Sequence, residues 1–225
     1  MKTQVIVVAA GLGRRLNSKV PKALVLLKGK PLISYCLKVF EGHHAIDGVV
    51  VVGTSGHLSQ FIRLTRPFKK VRAVVAGGAL RSDSVKSGLK ALSPDTDMVL
   101  VHDAARPFID HAMLDRLFAS LNKNKAAIVG VPVKFTVKKV DRKTLNIKET
   151  PARDDLWEAQ TPQGFQKDIL TKAHARKFKE EATDDAVLVE RMGCKVKMVM
   201  GDYRNIKVTT PEDLKLAQQL LTEKK

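Results

Sequence analysis

The chain has 225 residues, 44% of them hydrophobic and 28% charged, a size and balance that suit one α/β domain, 1–225, with a sizeable core. No apolar run approaches the roughly 20 residues needed to cross a bilayer, and Cys36 and Cys194 form no Cys-x-x-Cys pair, which argues against a membrane anchor, a disulfide framework and a cysteine zinc site. A formal net charge of +17 attracts anions of every kind, but with 5% aromatics and no basic stripe carrying stacking residues it marks no specific nucleic-acid surface.

The N-terminus enters an apolar run at Val5, leaving no room for a signal or transit peptide, so a cytoplasmic location is expected. Apolar, β-rich runs at 4–10, 48–53, 71–76, 98–102 and 126–133 alternate with amphipathic stretches at 32–40, 58–64, 83–92 and 112–121. Pro31 opens the first of these helices and Asp110 precedes the last. In the first, Cys36 falls among Leu32, Ile33, Leu37 and Phe40 at helical spacing and reads as a packed thiol. His43-His44, between a helix and a strand, reads as solvated. Strand–helix alternation with continuous apolar strands predicts a doubly wound, mostly parallel sheet covered on both faces. Ligands gather beyond the carboxyl ends of such strands.

From 136 to 150 the pattern changes to short segments of mixed charge around Asp141-Arg142-Lys143, read as a protruding β-arm spanning about 134–155. An arm of this kind leaves apolar residues uncovered unless a second subunit packs on them, so a homodimer is expected. Helix resumes over 167–178 and 185–192, followed by a strand over 195–200 and a last helix. Thr209 or Thr210 caps that helix, Pro211 enters its first turn, and Glu212 and Asp213 complement its dipole. Glu223-Lys224-Lys225 reads as a frayed tail.

The loops after the strands carry the chemistry. The first strand ends in Ala9-Ala10-Gly11-Leu12-Gly13-Arg14-Arg15 and leads to Pro21-Lys22. Small residues let backbone approach a ligand closely, and the cations suit phosphates. A dinucleotide fingerprint would need a small residue where Leu16 stands, and the Gly-Lys-Ser/Thr of a Walker A loop is absent. After the third strand, Gly77-Gly78-Ala79-Leu80-Arg81-Ser82-Asp83-Ser84 again runs small residues into a helix. Its amides can face a base or phosphate, with Ser82 or Asp83 capping the helix. After the fourth comes His102-Asp103-Ala104-Ala105-Arg106-Pro107. Magnesium takes one or two carboxylates plus substrate phosphates, which makes Asp103 a candidate ligand; taken alone, Asp103 could equally pair with Arg106. His102 reads as a packed residue at the strand end rather than a proton carrier, and no Gly-x-Ser-x-Gly elbow is present.

Together these segments resemble the methylerythritol phosphate cytidylyltransferases of the non-mevalonate isoprenoid pathway over nearly the whole chain. The marks are residues 9–15, Pro21-Lys22, residues 77–85 and 102–107, Leu156-Trp157-x-Ala159-Gln160-Thr161-Pro162-Gln163, Thr183-Asp184 and Asn205-Ile206-Lys207-Val208-Thr209. The resemblance implies a Rossmann-like nucleotidyltransferase fold, CTP and 2-C-methyl-D-erythritol 4-phosphate as substrates, Mg2+ as cofactor and a homodimer through the arm. By position it implies that Arg15, Lys22 and Lys207 hold the triphosphate and stabilise charge at the α-phosphorus, and that Asp103 is the magnesium-associated carboxylate. Ala9, Ala10, Gly11, Gly13, Gly78, Ser84, Asp103 and Ala104 would line the nucleotide site, and Arg106, Thr136, Arg153, Thr161 and Thr183 the pocket for methylerythritol phosphate. Val8 and Ala23 stand where the family often has Pro and Gln. Pentitol-phosphate cytidylyltransferases, such as those for ribitol 5-phosphate, share the fold and several of these segments; the unbroken 102–107 stretch and Leu156-Trp157 look like the methylerythritol branch. A nucleic-acid-binding protein without catalysis would use the charge but would not need Asp103, Lys22 and Lys207 together.

Overall fold

The computed structural model describes residues 1–16, 18, 20–178 and 180–222, so the tail at 223–225 lies outside the described residues. In chain order the elements are β1 (Thr3–Ala9), β2 (Leu26–Leu27), β3 (Lys30–Pro31), α1 (Leu32–Gly42), β4 (Gly48–Gly53), α2 (Leu58–Thr65), β5 (Val71–Ala76) and α3 (Arg81–Lys90). They continue with β6 (Met98–Asp103), α4 (His111–Leu121), β7 (Ala126–Pro132), β8 (Lys139–Val140), β9 (Ile147–Glu149), β10 (Trp157–Gln166), α5 (Lys167–Ala175), α6 (Asp185–Glu190), β11 (Lys197–Met200) and α7 (Pro211–Thr222). Among the described residues no helix is long and apolar enough to cross a membrane.

Seven strands form one sheet in the order β11-β7-β10-β6-β1-β4-β5. Every pairing is parallel except those of β10, which runs antiparallel between β6 and β7. Side chains alternate across the strands, so β1 sends Val5 and Val7 to one face and Ile6 to the other. The first face packs on Ile33, Cys36, Leu37 and Phe40 of α1 and Met113, Leu114 and Leu117 of α4. The second packs on Val85 of α3, Leu170 of α5 and Val189 of α6. Each large apolar side chain so enclosed contributes about 2 kcal/mol, which fixes the strands whose carboxyl ends bear the loops. A third cluster, with Leu27, Leu32, Phe108, Val208 and Ala217, docks α7 beside them.

The helix starts follow local chemistry. Asp110 accepts from Met113 N at 2.8 Å and caps α4. Thr210 Oγ1 accepts from Asp213 N at 3.3 Å, while the Asp213 carboxylate accepts from Thr209 N and Thr210 N, a reciprocal cap on α7. On α3 it is Asp83, not Ser82, that caps, accepting from Leu80 N at 3.3 Å.

Three sequence expectations change. The helix expected to reach 178 ends at Ala175, and the strand expected from 195 begins at Lys197. His43 is not solvated: its ring is 2% exposed, stacks on Phe118 and meets Asp115 Oδ1 at 3.1 Å; His44 is exposed.

Among the described residues β8 and β9 pair only with each other, apart from the main sheet. Around them Phe135, Leu145 and Ile147 are 80%, 74% and 62% exposed.

Candidate active site

The loop after β1 folds back on itself. Lys22 N donates to Gly11 O at 3.1 Å, and Gly13, at φ +69°, takes the left-handed conformation that glycine adopts without strain. A Cβ on Gly13 would come within 3.0 Å of Lys22 Cβ, so the glycine lets the lysine lie directly against the loop. Gly77 plays a similar part after β5: a Cβ there would meet Ala10 Cβ at 2.5 Å and Ser84 Oγ at 2.6 Å. The second glycine-rich loop thereby lies close against the Ala10 side chain of the first.

Between them opens a cleft of about 200 Å³, walled by Ala9, Ala10, Gly11 and Lys22 on one side and by Gly78, Arg81 and Ser84 on the other. Asp103, Ala104 and Lys207 close it at the carboxyl end of β6. Asp103 sits between two cations, with Arg81 Nε 3.3 Å from Oδ1 and Lys207 Nζ 2.6 Å from Oδ2. Burial alone would raise its carboxyl, but Arg81 and Lys207 outweigh burial and hold it well below the usual carboxylate range. Burial also acts on Lys22; with Lys207 adding like charge against the pull of Asp103, it brings the ammonium down to about 8. The cleft thus offers one permanent anion amid cations aimed at a common space, which suits a polyphosphate and a divalent ion.

Behind the wall a polar relay fixes the loop after β6. Asp103 N donates to Thr161 Oγ1 at 3.1 Å, and that hydroxyl lies 3.1 Å from His102 Nδ1. His102 Nε2 lies 3.1 Å from Arg106 O, so Nε2 donates and Nδ1 accepts from Thr161. Burial pushes His102 down to about 4, which keeps the ring neutral and this arrangement intact at physiological pH. Asn205, fully buried, donates to Thr161 O at 3.0 Å and Gln160 Oε1 at 3.1 Å, tying the segment before Lys207 to the same relay.

Comparison with known proteins gives this arrangement a family. The family model described as 2-C-methyl-D-erythritol 4-phosphate cytidylyltransferase matches residues 3–223. The chain belongs to that family. A relative of this name from Alkaliphilus metalliredigens is 46% identical over 230 residues, covering 100% of this chain and 95% of its own. Another from Geobacter metallireducens is 41% identical, covering 97% of each. Among solved structures, the 4-diphosphocytidyl-2C-methyl-D-erythritol synthase of Anaerococcus prevotii superposes with a TM-score of 0.87 at 31% identity, over 98% of both chains.

Against this cytidylyltransferase fold, the residues singled out in the sequence fall into groups. Ala9, Ala10, Gly11, Lys22, Gly78, Ser84, Asp103, Ala104 and Lys207 all line the cleft. Gly13 lines an adjoining hollow that shares Ala10, Gly11 and Gly78 with it. Arg15 is exposed beyond the rim, close enough for its charge to bear on Lys22. Thr161 is buried and belongs to the relay behind the wall. Arg106 does not pair with Asp103; Nη1 donates to Asn205 O at 2.6 Å and Nη2 to Ala159 O at 3.4 Å. Thr136, Arg153 and Thr183 are exposed, and Arg153 Nη1 donates to Lys134 O at 3.4 Å. None of these three lines the cleft. Arg81, a charged residue of the cleft wall, is missed by sequence reasoning; its signal is only an arginine that opens a helix after two glycines.

Proposed function

We propose that the chain transfers the CMP unit of CTP to 2-C-methyl-D-erythritol 4-phosphate, giving 4-diphosphocytidyl-2-C-methyl-D-erythritol and pyrophosphate in isoprenoid precursor biosynthesis. The observation that carries this reading is the meeting of Lys22, Lys207 and Asp103 in one cleft floored by two glycine-rich loops. The hydroxyl on the cleft wall, that of Ser84, donates to Leu80 O and is not set against a base, which supports direct transfer without a covalent enzyme intermediate.

In that reaction an oxygen of the sugar phosphate bonds to the α-phosphorus as the bond from that phosphorus to the bridging oxygen breaks, and pyrophosphate leaves in line. Catalysis then consists of alignment and charge stabilisation. Lys22, Lys207 and Arg15 hold the triphosphate and offset the charge that grows on its oxygens. The backbone at Ala9, Ala10, Gly11, Gly13, Gly78 and Ala104, with Ser84, seats cytosine and ribose. Arg106, Thr136, Arg153 and Thr183 bind the acceptor, and Thr161 orients the loop between the two sites. Asp103 fits Mg2+, being a hard oxygen donor kept ionised at the wall of the cleft. Bound there, the ion would supply Lewis-acid neutralisation of phosphate oxygens.

The chain functions as one cytidylyltransferase domain in the cytoplasm. Its arm, with exposed Phe135, Leu145 and Ile147, fits a homodimer interface. Pyrophosphate release from CTP and Mg2+, measured in parallel with methylerythritol 4-phosphate and ribitol 5-phosphate, tests the acceptor. Release with the former alone is expected; release with the latter alone would move the chain to the pentitol phosphates.

A further inference from the structure

The two cations on Asp103 are held very differently. Lys207 reaches it from a side chain that is 39% exposed, at the end of a flexible stem. Arg81 meets it through Nε, while Nη1 of the same guanidinium donates to Asp185 Oδ2 at 2.7 Å. Asp185 is 1% exposed, and its other oxygen lies 2.9 Å from Nε2 of the buried His174. Its backbone N–H donates to Gln163 Oε1 at 3.2 Å. Arg81 opens α3, Asp185 opens α6 and His174 lies on α5, so a chain of contacts from three helices, His174 to Asp185 to Arg81, ends on Asp103.

The consequence lies in what can move. A triphosphate in the cleft competes with Asp103 for Lys207, because both face the same space. It cannot draw Arg81 away as readily, since that would leave the Asp185 carboxylate uncompensated in the interior. A lysine could not replace Arg81, because a point charge does not span two carboxylates as a planar fork does. Resting on the assignment of Asp103 as the metal-holding carboxylate, we propose that Arg81, held by Asp185, which His174 backs, is a positioning residue that fixes Asp103 while Lys207 engages the triphosphate. Removing such outer support costs about 10- to 100-fold in metal affinity in metal sites generally.

The test is Mn2+ affinity of the protein with CTP, read by water-proton relaxation, for the wild type, Asp103→Asn, Arg81→Lys, Asp185→Asn and the Asp103→Asn/Arg81→Lys pair. Arg81→Lys and Asp185→Asn each weaken Mn2+ by about tenfold or more, raised Mg2+ restores their turnover, and Arg81→Lys adds less than about twofold on the Asp103→Asn background. Wild-type Mn2+ affinity in both single variants, alongside a loss in Asp103→Asn, would overturn the positioning role. An equal effect of Arg81→Lys on both backgrounds would do the same, because Arg81 would then act on the phosphates directly. Unchanged affinity in Asp103→Asn would instead overturn the metal assignment and the positioning role with it. Should circular dichroism show Asp185→Asn unfolded, Arg81→Lys, at the cleft wall, decides the matter.

Discussion

Lys207 Nζ lies 2.6 Å from Asp103 Oδ2, joining the segment before α7 to the carboxyl end of β6. With Arg81 on the other oxygen, Asp103 is the anion that lets three cations share one cleft, and its removal leaves Lys22, Lys207 and Arg81 facing one another. Asp103→Asn is expected to cost about 3 kcal/mol in urea unfolding at pH 7. Because the folded-state pKa is depressed, the contribution is complete above the ordinary carboxylate value and is lost as pH falls below about 4. The gap to the wild type should narrow there, and a gap independent of pH would show that the charge is not its source.

Lys22, brought down to about 8 by burial and Lys207, predicts a pH effect on CTP capture. On the proposed role of Lys22, loss of its proton removes a cation that holds the triphosphate, so kcat/KM for CTP should fall above pH 8 by about tenfold per pH unit. Lys22→Arg, which stays charged, should flatten that limb. A limb that persists unchanged in Lys22→Arg would belong to another group.

Gly77→Ala tests the contact between the two glycine-rich loops. The added methyl would press on Ala10 Cβ and Ser84 Oγ, at 2.5 and 2.6 Å, and force the cleft walls to shift. Overpacking of this kind costs about 1–3 kcal/mol. A KM for CTP raised about tenfold is expected, measured in steady-state kinetics; wild-type kinetics would show that the loops yield without moving the site.

The arm predicts an oligomeric state. Phe135→Glu with Leu145→Glu puts charge on exposed apolar positions that a partner would bury. Sedimentation equilibrium should give a dimer for the wild type and a monomer for the double variant. A wild-type monomer at micromolar concentration would contradict the homodimer.

Much of this site is legible in the sequence because it sits on loops that follow strongly periodic elements. β1, β4, β5, β6 and β7 are predominantly apolar runs, and their carboxyl ends deliver the glycine-rich loops, Asp103 and Ala104. β10 is not legible that way: Pro162 and Gly164 interrupt it, and proline in a central strand ordinarily argues against one. Its pairing with β7 shifts register between Ala159 and Gln163, a bulge that accommodates the proline. The partners of Asp103 were hidden for a different reason. Arg106, three residues away, points to Asn205 and Ala159, while the cations that do pair come from α3 and the segment before α7. His43 reads as a loop residue but is buried, since Phe118 and Asp115 of α4 give its ring an apolar face and a partner. Such long-range pairings leave no trace in local spacing.

The proposed chemistry rests on positioned cations, chiefly Lys22. Single-turnover kinetics of Lys22→Ala with CTP and methylerythritol 4-phosphate, alongside the Kd for CTP, tests it most directly. A fall in the single-turnover rate of about 100-fold or more is expected, with Kd changed less than about fivefold. Equal losses in both would contradict it and make Lys22 a group that binds substrate and transition state alike.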